Sequence, residues 1–450
     1  MISSLRLERF KSFKDAELQL GPLTVLIGAN ASGKSNIRDA FRFLHGIGRG
    51  YSLAEIIGEK YGEGGERVWT GIRGGPPEIA FGGGASFALK VEMLLASPSG
   101  SLPPVTKNQK CERRRYDYRI EVELDRKPVT PVVVSERFGD ERSNPDLVGT
   151  LQDGELRVHG VSHDGQEYDV LRGTADHPFI YTIANPFGKN VNLRSFDNSL
   201  NIYTNANLWC NRIRRMRFFD WLLDAIRQPS FPGQDVLSDN GRNLSSVLQA
   251  ICQDDQAKRN LLSWIEELTP MDAVDFEFSA DPMGRVLATL VEKNGQRITL
   301  GSASDGTLRF LSYLAAFLGP HPSSFYFFEE LENGIHPTRL SLLLDLVENQ
   351  VKNKNIQVVA TTHSPELLGY LSEESLEHVH LVFRLPDEPD TRVIRILDMP
   401  DAQRLIKRSR LAHLFAAGWF ETTARFMQPD PDEVSVAVSV PRNGEENSPA

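Results

Sequence analysis

The chain has 450 residues, 40% of them hydrophobic and 24% charged, a balance that suits a folded globular protein and excludes a wholly disordered or fibrous one. Fifty basic residues against sixty acidic ones give a formal charge of −10, which excludes a generally basic nucleic-acid coat and leaves room only for a local basic patch. The three cysteines, Cys111, Cys210 and Cys252, stand far apart; they support neither zinc spacing nor a disulfide framework and read as buried free thiols.

The opening residues, MISSLRLERFKSF, carry charges where a signal peptide needs an apolar core. The longest apolar stretch, residues 308–318, is broken by Arg309 and is too short to span a bilayer. The expectation is a soluble, cytoplasmic protein with no membrane contact. Residues 2–10, 16–20 and 23–27 read as strands, with a polar turn at 11–15 between the first two. The third runs into a glycine loop and then a helical stretch, 35–45, with Ile37, Ala40, Phe41 and Leu44 at helical spacing. Strand, glycine loop and helix in that order make one α/β unit.

Residues 71–86 are glycine-rich and read as loop, 87–95 as a strand, and 97–104 as a breaker run. From 116 to about 203, short β-like pieces at 118–124, 129–134 and 155–161 alternate with turns. Helical spacing covers 208–226, 244–252 and 259–268. Residues 274–278, 286–292 and 297–300 read as a meander with turns at Asp281-Pro282 and Asn294-Gly295. A buried helix (308–318), a strand (325–328), a helix (338–351), a strand (356–361) and further α/β pieces to about 427 follow. Residues 429–450 hold five acidic residues, one arginine, four prolines and no aromatic residue, the composition of a disordered tail. The expected organisation is an α/β head made of 1–95 and 274–427, a β-rich insertion at 96–205, a helical insertion at 206–273, and an acidic tail at 428–450.

Gly28-Ala-Asn-Ala-Ser-Gly33-Lys34-Ser35 matches G-x-x-x-x-G-K-[ST] in full, with an apolar strand before it and an amphipathic helix after it. Glycines let backbone N–H groups turn inward around a polyphosphate, and the helix N-terminus adds positive partial charge. Lys34 is expected to reach the β and γ phosphates, and the Ser35 hydroxyl to join a Mg²⁺ shell. The second motif, Phe325-Tyr-Phe-Phe-Glu329-Glu330, is an apolar strand ending in two carboxylates, and strand ends beside such a loop are where an α/β sheet places ligands. Glu329 would hold a magnesium-bound water and Glu330 would act as general base on the attacking water. The strand Val358-Val-Ala-Thr-Thr ends at His363, a place from which a polar residue can sense a γ phosphate. Ala303-Ser304-Asp305-Gly306-Thr307-Leu308-Arg309 enters the buried helix; it suits either a second anion site or a plain N-cap by Ser304 and Asp305. The carboxylate pair follows the phosphate loop by about 295 residues, which points to two halves of one head separated by inserted sequence.

The order GANASGKS, SASDGTLR, FYFFEELENGIHP, ATTHSPELL resembles the ABC-type ATPase heads of the SMC, RecF and OLD group. It is most similar to the bacterial predicted ATPases with an AAA-type core that lack a fused TOPRIM nuclease. RLERFKSF, SNIRDAFRFL and GRNLSSVLQAI add to the likeness, which covers residues 1–60 and about 235–425. The resemblance implies a P-loop NTPase fold, ATP and Mg²⁺ as ligands, and ATP hydrolysis. It implies that Gly28, Asn30, Ser32, Gly33, Lys34, Ser35 and Asn36 line the phosphate and metal site, with Ser35 and Glu329 on the metal. It makes Glu330 the catalytic carboxylate and His363 the switch histidine. Ser304 and Gly306 would act in trans on ATP held by a second subunit, so an ATP-dependent homodimer is implied. Arg9 and Lys11 sit where such heads often contact nucleotide.

Three departures stand out: Ala303 in place of leucine, Leu331 in place of proline, and Glu329 in place of aspartate. None removes a needed functional group, and no glutamine of a Q-loop is assignable. The resemblance points to DNA repair or defence against mobile elements, with DNA or a separate nuclease or effector subunit as partner. A second reading makes the chain a nucleic-acid-binding module in which ATP is secondary. It rests on Lys107, Lys110, Arg113, Arg114, Arg115, Arg119, Arg212, Arg214, Arg215 and Arg217, with Tyr116, Tyr118 and Trp209 as stacking surfaces. A kinase or GTPase is disfavoured because no N-K-x-D sequence is evident.

Overall fold

A computed structural model describes residues 1–97, 112–124, 130–140, 143–161, 167–185, 199–268, 273–354, 356–386 and 388–427. The acidic tail at 428–450, Cys111, Lys107 and Lys110 lie outside them.

Six strands form the central sheet, in the order Met216–Phe219, Phe325–Phe328, Gln357–Thr361, Leu23–Ile27, Val379–Arg384, Thr391–Arg395. The first five are parallel and the last is antiparallel. Phe325–Phe328 and Gln357–Thr361 are buried at every position, as strands covered on both faces must be. Alternate side chains enter two different cores. Leu26, Phe325, Phe327, Val359 and Val382 face the helix Lys34–Gly48, while Val25, Tyr326, Phe328, Val358 and Leu381 face the helices Asp305–Leu318 and Leu340–Lys354. Ile37, Ala40, Phe41 and Leu44, the residues at helical spacing, are all fully buried. Phe41 lies 5.0 Å from Phe325 and 6.0 Å from Phe327, which presses the helix onto the strand that carries the carboxylate pair.

On the other side of Lys34–Gly48 lies an eight-stranded antiparallel sheet. Ile2–Phe10, Phe13–Gln19 and Ser86–Ser97 start it, and Glu112–Leu124, Pro131–Asp140, Ser143–Gln152, Glu155–Val161 and Glu167–Thr174 continue it. The β-like pieces read between 116 and 174 therefore extend the sheet begun at the N-terminus. Gln357 joins the two sheets: its buried amide accepts from Ile2 N at 2.9 Å and donates to Ile2 O at 2.7 Å and Gly21 O at 3.0 Å. The expected meander is present as Ala273–Ala280, Val286–Glu292 and Arg297–Thr299, with Gly284 and Gly295 at positive φ in its turns.

The helical reading of 208–226 needs correction. A helix, Ser199–Arg214, ends there, and the chain then forms the strand Met216–Phe219 and a single turn, Leu223–Ile226. Met216, Phe218 and Phe219 are buried, and in-register pairing with Phe325–Phe328 overrides the helical spacing of the apolar residues. The stretch at 71–86 likewise contains short helical turns, Gly75–Ile79 and Phe81–Gly83. Of the cysteines, Cys210 is buried and Cys252 half-buried, both as free thiols whose pKa burial raises. Among the described residues no helix is long and apolar enough to cross a membrane.

Candidate active site

The phosphate loop leaves the end of Leu23–Ile27 and closes at Gly33, the N-cap of Lys34–Gly48. Gly28 has φ 140°, and a Cβ there would lie 2.0 Å from Val382 O. Gly33 has φ 113°, and its Cβ would meet Thr391 Oγ1 at 2.7 Å. Side chains at either position would block the loop from lying against its neighbouring strands. Thr391 in turn bonds the Ser32 carbonyl at 2.9 Å and lies 2.8 Å from the Ser12 hydroxyl, which accepts from Asn36 Nδ2 at 2.8 Å. The loop is thereby fixed from outside by the antiparallel edge strand.

Lys34 Nζ donates to Gly28 O and Ala29 O, both at 2.8 Å. Burial pushes its ammonium down to about 8, against the pull of Glu330, Glu332 and Glu421. Opposite the loop, Phe325–Phe328 delivers Glu329 and Glu330. Arg38 Nη1 holds Glu329 Oε2 at 2.6 Å. Glu330 takes φ 50°, a conformation that costs a non-glycine residue roughly 1–3 kcal/mol and persists only where its surroundings impose it. Here they do: Glu330 N donates to Thr361 Oγ1 at 2.8 Å and Leu331 N to Thr361 O at 3.1 Å. His363 follows that same strand. Its backbone N–H donates to Glu332 Oε1 at 2.8 Å, and burial, with the nearby Lys34 charge, lowers the pKa of its ring.

A cavity of about 610 Å³ brings these groups together. Asn30, Ser32, Gly33, Lys34, Ser35, Asn36, Glu329, Glu330 and His363 all line it. Gly28 is not among the lining residues. Ser304 and Gly306 do not line the cavity: Ser304 caps the helix Asp305–Leu318, accepting from Thr307 N at 3.2 Å, and is exposed. Arg9 and Lys11 do not line it either. Arg9 pairs with Glu121 at 3.0 Å, and Lys11 lies 3.4 Å from the buried Asp39.

Several lining residues escaped sequence reasoning. Arg73 enters from the loop after Arg67–Trp69, held by Asp39 at 3.2 Å and by the Ser35 carbonyl. Asp220 and Trp221 follow the edge strand Met216–Phe219, whose Phe219 pairs with Phe328, so Asp220 stands alongside Glu329. A signal for them exists: Met216-Arg-Phe-Phe-Asp220 repeats the pattern of Phe325-Tyr-Phe-Phe-Glu329, an apolar run ending in a carboxylate. Arg309, Tyr313 and Asn333 also line the cavity.

The donor set fits a hard divalent cation held with a polyphosphate: a hydroxyl from Ser35 and carboxylate oxygens from Glu329 and Asp220 line one cavity. Among the described residues no three His, Cys, Asp or Glu side chains converge closely enough to hold a metal by themselves, so phosphate oxygens and water would complete the shell.

A family model described as "AAA domain, putative AbiEii toxin, Type IV TA system" matches residues 23–369, most of the chain and every element of the cavity from the phosphate loop to His363. The chain belongs to this AAA-domain family. It is an ATPase with an α/β P-loop fold. No curated protein matches the chain. Among solved structures, an SMC head bound to the C-winged helix domain of ScpA is 15% identical, with TM-score 0.42, covering 87% of this chain and 97% of that one. The SMC head domain from Thermotoga maritima is 12% identical, with TM-score 0.37, covering 88% and 98%. The Pyrococcus furiosus SMC head with an extended coiled coil, bound to the C-terminal domain of ScpA, is 13% identical, with TM-score 0.39, covering 91% and 99%. These scores mark a distant likeness only.

The surfaces offered for base stacking are not accessible. Tyr116 is 4% exposed, and Tyr118 and Trp209 are fully buried, packed on each other at 4.4 Å. Nearby arginines stand in ion pairs: Arg115 with Glu92 and Arg119 with Glu8 and Glu121 on the open face of the large sheet, and Arg114 with Asp140.

Proposed function

We propose that the chain is a Mg²⁺-dependent ATPase head that pairs with a second copy when ATP is bound, and that this pairing regulates DNA or a protein effector. The observation that carries the proposal is the separation of two half-sites. The phosphate loop, Glu329, Glu330 and His363 share one cavity, while Ser304, exposed, and Gly306, half-buried, lie outside its lining at the start of the helix Asp305–Leu318. A serine at a helix N-terminus is an anion-binding element, and here it has no anion site of its own subunit to serve.

In this reading Gly28, Asn30, Ser32, Gly33, Lys34 and Asn36 hold the polyphosphate. Ser35 and Glu329 hold Mg²⁺, which when bound neutralises phosphate charge. Glu330 takes the proton of the attacking water, and its imposed backbone angle aims the carboxylate into the cavity. His363, its ring kept neutral by burial and Lys34, is placed to read the terminal phosphate. Ser304 and Gly306 contact that phosphate from the second copy. The division into a two-part head (1–95 and 274–427), a β-rich part (96–205), a helical part (206–273) and a tail (428–450) belongs to the same proposal, as does a cytoplasmic location.

The test is ATP turnover per chain across a range of protein concentrations. Turnover that rises with concentration, and that Ser304→Arg abolishes while ATP binding survives, is the expected result. Turnover independent of concentration and insensitive to Ser304→Arg would overturn the two-copy site.

A further inference from the structure

Three cationic side chains line the cavity, Lys34, Arg73 and Arg309, and a fourth, Arg38, is paired with the lining residue Glu329. Arg38 is committed to Glu329 and Arg73 to Asp39. Lys34 is held by carbonyls of its own loop. Arg309 also faces the cavity, and among the described residues it has neither a carboxylate within ion-pair distance nor a carbonyl partner.

Its position is built rather than incidental. Arg309 and Tyr313 stand four residues apart on one face of the helix Asp305–Leu318. Tyr313 fixes that face, its hydroxyl donating to Leu331 O at 3.0 Å. The Arg309 stem crosses Gly334, where φ is 71° and a Cβ would lie 2.6 Å from Arg309 Cδ and Nε. A residue with a side chain at 334 would displace the guanidinium, so the loop after Glu330 is shaped around it. Gly306 completes the contact, its Cβ position lying 3.1 Å from Gly334 O. The helix that presents Ser304 outward thus carries, on its next turn, an unpaired cation that points into the cavity of its own subunit.

We propose that Arg309 binds the terminal phosphate of the nucleotide in its own subunit, and so ties the helix bearing Ser304 to the nucleotide that subunit holds. A guanidinium and the Lys34 ammonium, reaching one cavity from two different helices, would both engage a polyanion held there, and charge-assisted bonds of this kind are the strong ones. Because ADP lacks the terminal phosphate, the contact makes the site selective for the triphosphate. This rests on the nucleotide reading of the cavity.

The test is titration calorimetry with ATP and with ADP, in the presence of Mg²⁺, on Glu330→Gln protein with and without Arg309→Gln, at concentrations where the chain is monomeric by light scattering. ATP affinity is expected to fall by about 10- to 100-fold in Arg309→Gln with ADP affinity within about twofold, and Arg309→Lys should recover part of the loss. Equal losses for both nucleotides, or no loss for either, would overturn the inference; so would a selective loss seen only when the chain is dimeric, since the contact would then be made across subunits. Failure of the Glu330→Gln protein itself to bind either nucleotide would overturn the nucleotide reading and this inference with it. Unchanged binding ratios beside normal ATP binding would overturn this inference alone.

Discussion

Arg38 Nη1 and Glu329 Oε2 lie 2.6 Å apart, joining the phosphate-loop helix to the end of the strand that carries the carboxylate pair. Both side chains are largely shielded, 12% and 28% exposed, so the pair is screened little by solvent. Arg38 lies one turn after Lys34 and fixes one oxygen of Glu329. A residue read only as part of a helical stretch therefore orients a residue of the site.

Removing that guanidinium leaves a sheltered carboxylate without its counter-charge. Arg38→Met is expected to lose about 1–3 kcal/mol of stability. Thermal unfolding with and without Mg²⁺ checks this, because the freed Glu329 should let the cation restore more stability in the variant than in the wild type. An equal Mg²⁺ response in both proteins would remove Glu329 from the metal site.

Glu330→Gln keeps the size and hydrogen-bonding shape of the side chain but cannot take a proton. Turnover should fall by about 10²- to 10⁴-fold, the usual range for loss of a general base, while ATP still binds. A rate close to wild type would assign the base elsewhere, with Asp220 the next carboxylate in the cavity.

Lys34 supplies a pH signature. Burial lowers its pKa to about 8, and a bound polyphosphate, by favouring the ammonium, raises it again. Nucleotide binding should therefore take up protons through Lys34 between about pH 8 and the ordinary lysine range. Affinity at pH 9 should fall about tenfold below that at pH 7. Calorimetry in two buffers of different ionisation enthalpy measures the uptake; no uptake at pH 8.5 would place Lys34 away from the phosphates.

How far the sequence carries this account varies along the chain. The phosphate loop is legible because its glycines are required by backbone geometry: Gly28 and Gly33 lie where a Cβ would strike Val382 O and Thr391. The strand ending at Glu329 is legible because a run buried on both faces has to be continuously apolar. Met216–Phe219 is not, since its four residues follow a true helix and only pairing with Phe325–Phe328 decides their conformation. Asp220 and Trp221 were missed with it. Arg73 and Arg309 were missed for another reason: one reaches the cavity from a distant loop by way of Asp39, and the other by crossing Gly334, and no local pattern records either contact.

In the large sheet, Glu136 is fully buried and accepts from Phe179 N at 2.6 Å, Ile180 N at 3.1 Å and the Tyr118 hydroxyl at 2.9 Å. Burial raises its pKa to about 7, above the unfolded value, so its contribution is fully present below the ordinary glutamate range and is lost as pH rises through 7. Phe179 N and Ile180 N bond different carboxylate oxygens, so Glu136→Gln keeps an acceptor for one of them only; having no titratable proton, it should flatten this dependence while lowering stability at pH 5. Glu136→Ala should lose about 2–4 kcal/mol, because three buried donors lose their partner. Denaturant midpoints at pH 5 and pH 8 decide the matter, and parallel pH profiles for wild type and Glu136→Gln would contradict it.

The pairing of two heads is the centre of the proposed function, and the mass of the Glu330→Gln protein by light scattering, with and without Mg-ATP, tests it most directly. The account predicts a monomer without nucleotide and a dimer with it, and a return to monomer when Ser304→Arg is added. A mass unchanged by ATP, whether monomer or dimer, would contradict it.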